Sequence, residues 1–135
     1  MKETLNILGA RMHVRADGNG LAAFVADHPV PPGYAVPPHR HEDDDEMLLV
    51  IEGELTLMDA DGERKLGAGR CATFMRGDLH GFRNDTVDVA RVVVVATPGL
   101  QAVEMFRHFD RAAREGELTP PLIAEIAGQY GVQFG

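Results

Sequence analysis

The chain contains no tryptophan, a single cysteine and no run of lysine or arginine. With Cys71 alone, no intrachain disulfide can form, which fits a reducing compartment and leads us to expect a cytoplasmic protein. Aromatic residues make up only 6%, which argues against a large flat stacking surface. The formal net charge is -8 and the basic residues are scattered. A nucleic-acid binder needs a basic stripe to neutralise phosphates, so no nucleic acid is expected as a partner, and an anionic membrane surface is disfavoured on the same ground. No apolar stretch approaches the roughly 20 residues that span a bilayer. The opening segment, Met1 to Asn6, lacks the apolar run and small-residue cleavage site of a secretory leader. What is present is ordinary for one soluble domain with its own core: 135 residues, 44% apolar and 25% charged.

The first hundred residues read as short strands divided by turn residues. Ala10 to Arg15 and Leu21 to Ala26 flank the turn Asp17-Gly18-Asn19-Gly20. The segment His28-Pro29-Val30-Pro31-Pro32-Gly33 is excluded from any central strand, because its prolines lack backbone donors. Tyr34 to His41 runs extended, followed by strands at Met47 to Ile51 and Glu54 to Met58 and a tight hairpin at Asp59-Ala60-Asp61-Gly62. Cys71 to Met75, Leu79 to Arg83 and Ala90 to Thr97 complete a set whose regular spacing predicts an all-β sandwich or barrel. After Pro98-Gly99 the period changes. Leu100, Val103, Phe106 and Phe109 recur at helical spacing with Gly116 as a stop, and Thr119-Pro120 starts a second helix carrying Leu122, Ile123, Ile126 and Tyr130. The division expected is a barrel over 1-99 and a C-terminal helical extension over 100-135, packed on the same domain and able to form one wall of a pocket.

His39 and His41 stand two apart in an extended segment, so their imidazoles project to the same face. Glu46 opens the next apolar run, and His80 lies at the end of another strand after the turn at Gly77. Three neutral imidazoles and one carboxylate suit a borderline divalent ion: iron, manganese, nickel, copper, cobalt or zinc. His13, His28 and His108 are assigned to the surface or the core, and Glu42 to Asp45 to a solvated acidic loop. Cys71 is expected to be a small buried hydrophobe, Phe82 ordinary core, and Arg76, Arg83 and Arg91 surface residues.

Written as spacings, the two segments are Gly33-x5-His39-x-His41-x4-Glu46-x6-Gly53 and Gly69-x5-Met75-x-Gly77-x2-His80-x3-Asn84. They resemble the two consensus motifs of the cupin superfamily, with one departure: Met75 stands where the family usually has proline. The resemblance implies a double-stranded β-helix (jelly-roll) barrel with His39, His41, Glu46 and His80 as ligands of one divalent transition-metal ion. It implies that Gly33, Gly53, Gly69 and Gly77 serve tight turns at positive φ, and that Asn84 is a turn residue. The end of the chain, Gln129-Tyr130-Gly131-Val132, is similar to small bacterial cupins of the quercetin dioxygenase-like kind. That similarity implies a metal-dependent oxygenase of a small organic substrate, with Glu46 as the catalytic proton acceptor, and a homodimer. A non-enzymatic metal-dependent binding protein and an oxygen-independent isomerase or lyase are the alternatives, because this barrel hosts many chemistries.

Overall fold

The computed structural model describes residues 3–116 and 118–135. Met1 and Lys2, part of the stretch read for a leader, lie outside the described residues, as does Glu117. The strands run in chain order β1 (Glu3–Ile7), β2 (Ala10–Asp17), β3 (Phe24–Val30), β4 (Ala35–His41), β5 (Asp45–Glu52), β6 (Glu54–Asp59), β7 (Gly62–Gly67), β8 (Cys71–Phe74), β9 (His80–Arg83) and β10 (Ala90–Thr97). Then come helices α1 (Leu100–Glu115) and α2 (Pro120–Gln129) and a last short strand, β11 (Val132–Phe134).

Two antiparallel sheets form, ordered β1-β2-β3-β10-β5-β8 and β11-β4-β9-β6-β7, which is the double-stranded β-helix expected. Alternation drives this. On β10, Ala90, Val92, Val94 and Ala96 point inward, while the residues between them are half-buried or exposed. They meet Phe24, Ala26 and Val30 of β3, Leu48 and Val50 of β5, and Leu55 and Leu57 of β6 in one apolar core. The four glycines of the two motifs have φ of 80, 82, 81 and 84°, as their turns require.

The strand set departs from the sequence reading at several points. β1 and β11 are additional strands at the sheet edges. β3 continues through His28 and Pro29 to Val30 and lies between β2 and β10, so a proline does sit in a central strand. Continuing the His13↔Asp27 register puts Arg11 opposite Pro29, and the Arg11 carbonyl takes a hydrogen bond from the His28 ring at 2.7 Å. The side chain thus supplies the donor that proline lacks.

The helices follow their signals. Thr119 caps α2, its hydroxyl accepting from the Leu122 amide, with Pro120 in the first position, and the Gly116 amide closes α1 on the Ala112 carbonyl. α1 starts at Gly99, whose φ is 86°; any side chain there would lie 2.4 Å from the Phe24 amide nitrogen. The buried Asp44 accepts from the Gly99 amide at 2.7 Å and Asp45 from the Arg76 amide at 2.9 Å. Asp44 and Asp45 therefore tie the loop to the start of α1 and to the turn after β8, which corrects their reading as merely solvated, while Glu42 and Asp43 are exposed as expected. Cys71, expected to be buried, is exposed on the outer face of β8. Among the described residues no helix is long and apolar enough to cross a membrane.

Candidate metal centre

β4 carries His39 and His41, β5 carries Glu46, and β9 begins at His80. His39 lies opposite His80 across the β4–β9 pair. The three imidazoles are buried, at 8, 6 and 2% exposure, which removes them from the solvated surface where most histidines lie. One potential ligand atom from each of the four residues lies within 4.8 Å of all the others. Bonds of about 2.0–2.2 Å to a central ion separate ligand atoms by up to about 4.4 Å, so the cluster matches the size of a first-row coordination shell.

Second partners fix the rings. The His39 Nδ1 donates to the Pro37 carbonyl at 2.8 Å and the His80 Nδ1 to the Asp78 carbonyl at 3.0 Å. A carbonyl only accepts, so each Nδ1 carries its proton and Nε2 faces the cluster as the ligating nitrogen. Phe74 stacks on His80 with ring centroids 4.3 Å apart and planes 6° from parallel, which locks that ring. Glu46 Oε2 lies 3.2 Å from the His41 Nε2 and 2.9 Å from the His80 Nε2. Contacts this short need either a ring N–H on the nitrogen or a cation shared by the three atoms. The donor set and this convergence both fit a divalent transition metal. His41 Nδ1 is buried without a hydrogen-bond partner among the described residues.

The charges of these groups follow from burial and from the contacts just described. Burial, reinforced by the neighbouring His80, pushes the His39 imidazole down to about 4, so it stays neutral at physiological pH. Burial opposes ionisation of Glu46, but hydrogen bonds from His41 and His80 outweigh it and hold the carboxyl well below its usual range. Burial also opposes charge on His80, and the hydrogen bond to Glu46 overrides it and raises that imidazole.

The cluster closes one end of a cavity of about 500 Å³ inside the barrel. Its other walls are apolar: Met12, Val36, Phe82 and Val94 from the strands, Phe106, Phe109 and Ile123 from the helices, and Val132 and Phe134 from β11. Phe82 is thus both core and wall. The sequence reading missed His28 and the whole of β11 as wall elements. The inward alternation of Phe24, Ala26, His28 and Val30 carried the signal for His28, but the prolines had ended that strand at Ala26. Arg83 pairs with Glu63 and Asp85, Arg91 with Asp27, and Arg76 lies near Asp45, all at the surface. Among the described residues no lysine or arginine lines the cavity. Asn84 is buried in the turn after β9, donating to the Val30 and Asp88 carbonyls and accepting from the Thr86 amide. Met75, at the family's proline position, uses its extra amide to bond Asp78 at 2.8 Å.

Residues 28–96 match the profile of the family described as the cupin domain. Among solved structures, a sugar phosphate isomerase of the cupin superfamily from Silicibacter pomeroyi is similar at 34% identity and a TM-score of 0.61. That match covers 66% of this chain and 59% of the isomerase chain, so the similarity spans less than two thirds of that protein. A protein with a double-stranded β-helix domain from Klebsiella pneumoniae is similar at 25% identity and a TM-score of 0.59, over 67% of this chain and 77% of that one. A structure from Thermus thermophilus is similar at 30% identity and a TM-score of 0.53, over 56% of this chain and 72% of that one. No curated protein matches the chain.

Proposed function

The chain belongs to the cupin domain family, and on that premise we propose that His39, His41, Glu46 and His80 hold one divalent transition-metal ion at which a small, largely apolar organic substrate is oxygenated. The observation that carries this reading is the cavity, apolar on nearly every wall and ending on the His/Glu cluster. Such a chamber desolvates an apolar molecule and leaves it one polar end at which to bind. A bound first-row ion supplies a Lewis-acidic position for a substrate oxygen and, when redox-active, a means of engaging dioxygen.

The chain's own residues do the rest. Phe82, Phe106 and Phe109 exclude water and position the apolar body of the substrate. Glu46 Oε2 faces the same space, and once released from one imidazole it accepts the proton of an enol or phenol hydroxyl. Dioxygen is the co-substrate, and both of its atoms enter the product, as in a quercetin dioxygenase-like reaction.

The name of the Silicibacter pomeroyi structure favours a second reading, an oxygen-independent metal-assisted isomerase. Against it, a sugar phosphate needs cationic or hydrogen-bonding partners for its phosphate, and among the described residues no lysine or arginine stands on the walls of this cavity. Elemental analysis comes first: about one equivalent of metal is expected, lost in the alanine variants of His39, His41, Glu46 and His80 and kept in His108→Ala. Oxygen uptake with a panel of enolic and phenolic substrates then separates the readings. Uptake matched to substrate loss supports the oxygenase; isomerised product without uptake supports the second reading; metal binding without turnover leaves a binding protein. A Glu46→Gln variant with full metal loading and full oxygen uptake would remove Glu46 from the mechanism. A homodimer is also proposed from family membership, with light scattering as its check.

A further inference from the structure

His28 is 2% exposed on the inward face of β3, edge-on to Tyr34 and to Phe82 with ring centroids 6.0 and 6.4 Å away. Its Nδ1 is committed to the Arg11 carbonyl opposite Pro29, so Nδ1 carries the proton. Burial pushes the imidazole down, so the ring is neutral and Nε2 holds a bare lone pair. Among the described residues the one sealed, unpaired side-chain nitrogen or oxygen is His41 Nδ1. His28 Nε2 has no hydrogen-bond partner among the described residues either, but it is not sealed, and His28 is a wall of the cavity. The nearby Tyr34 hydroxyl already donates to the Ile7 carbonyl at 2.7 Å and offers His28 nothing.

We infer that His28 Nε2 is the acceptor for a hydroxyl group on the cavity's ligand, which makes that ligand an elongated apolar molecule bearing a hydroxyl at the end remote from the metal cluster. The inference rests on the proposed use of the cavity as the substrate site. The length follows from the strands. Phe82 stands two residues beyond His80 on β9, about 6.6 Å along an extended chain. Its ring centroid is 6.4 Å from that of His28. Together these steps put the two ends of the ligand on the order of 10 Å apart, the scale of two fused or linked rings. A bare acceptor in an apolar wall discriminates sharply, because a ligand without a donor at that point leaves it desolvated and unpaired. The proline in β3 thus has a consequence at the cavity: by taking Nδ1 for the backbone, it sets the tautomer that faces the ligand.

The test uses zinc-loaded full-length protein and two probes, 2,6-dihydroxynaphthalene and 6-methoxy-2-naphthol, titrated by fluorescence. Wild type should bind the diol about tenfold more tightly. His28→Leu should bind both probes alike, and His28→Gln, whose amide oxygen can accept, should restore the preference. Nitrogen-15 spectra of the His28 ring should show the proton on Nδ1, with the Nε2 resonance moving when the diol binds. Equal affinities in wild type, no binding of either probe, a preference retained in His28→Leu, or a proton on Nε2 would each overturn the inference. Elemental analysis of the same samples keeps the two readings apart. If wild type takes up no zinc, the metal proposal fails on its own, and the titration and spectra on zinc-free protein still decide the role of His28.

Discussion

Asp27 sits on the outer face of β3, its carboxylate bidentate with the Arg91 guanidinium at 2.9–3.3 Å and Arg15 3.7 Å away. Hydrogen bonds from Arg91 hold its carboxyl below the usual range against a smaller opposing effect of burial. A depressed folded-state pKa means the pair stabilises above the ordinary carboxylate range and loses that contribution as pH falls through the range toward the depressed value. Asp27→Asn should cost about 1 kcal/mol at pH 7, and the gap to wild type should close in acid. Urea unfolding at pH 7 and near pH 3 checks this, and a gap independent of pH would assign the loss to packing instead. Residues of this kind were illegible in the sequence, since Asp27 and Arg91 are 64 positions apart with nothing local to link them. His39, His41 and Glu46 were legible because strand alternation and short spacing bring them together without long-range information, whereas His80 needed the second motif. His28 was lost to a local rule that is sound for backbone donors but does not count a side chain that replaces one.

The ligand strand β4 has a fault in it, and the fault is part of the site. Its pairing with β9 shifts by one residue between Val36 and His39, across Pro37-Pro38. The extra residue reverses the alternation, so Val36 and His39 both face the cavity although they are three positions apart. Gly81 makes room for the bulge: a Cβ there would lie 2.6 Å from the Val36 carbonyl oxygen and 2.9 Å from the Pro37 carbonyl carbon. These contacts are backbone and cannot swing aside. Gly81→Ala should therefore push β4 from β9 between the two histidines that face each other. A loss of about 2–3 kcal/mol in stability is expected, together with weaker metal uptake by a protein whose circular dichroism is still that of a β-barrel. Unchanged thermal stability and metal content would show that the bulge can give without moving the ligands. The sequence reading took Tyr34 to His41 as plainly extended, since the register shift is set by β9 and could not be read from β4.

At the scale of the whole molecule, the barrel was legible from the rhythm of Gly- and Asp-containing turns between short apolar runs, although Pro29 and the Pro37-Pro38 pair lie within strands. How the outer edge of β4 is covered was not legible, because it depends on a pairing with the far end of the chain. β11 is only three residues long, too short to show a period, yet it pairs with β4 with Val132 opposite His41 and Phe134 opposite His39. The C-terminal segment thus backs the ligand strand and walls the cavity, while Tyr130 bonds the His108 ring of α1 at 3.0 Å. Ending the chain after Gln129 would remove this strand and leave β4 as a bare edge. Loss of the buried Val132 and of the β11 pairing should lower stability by about 2–4 kcal/mol. All four proposed metal ligands lie on β4, β5 and β9, so the shortened protein should still load zinc. The zinc should pass faster to a chelating dye, because the wall nearest His39 and His41 is gone. Stopped-flow release measured beside the full chain decides the matter: equal rates would mean that β11 does not guard the centre, and no loading at all would mean that β4 cannot hold its histidines without a strand on its outer edge.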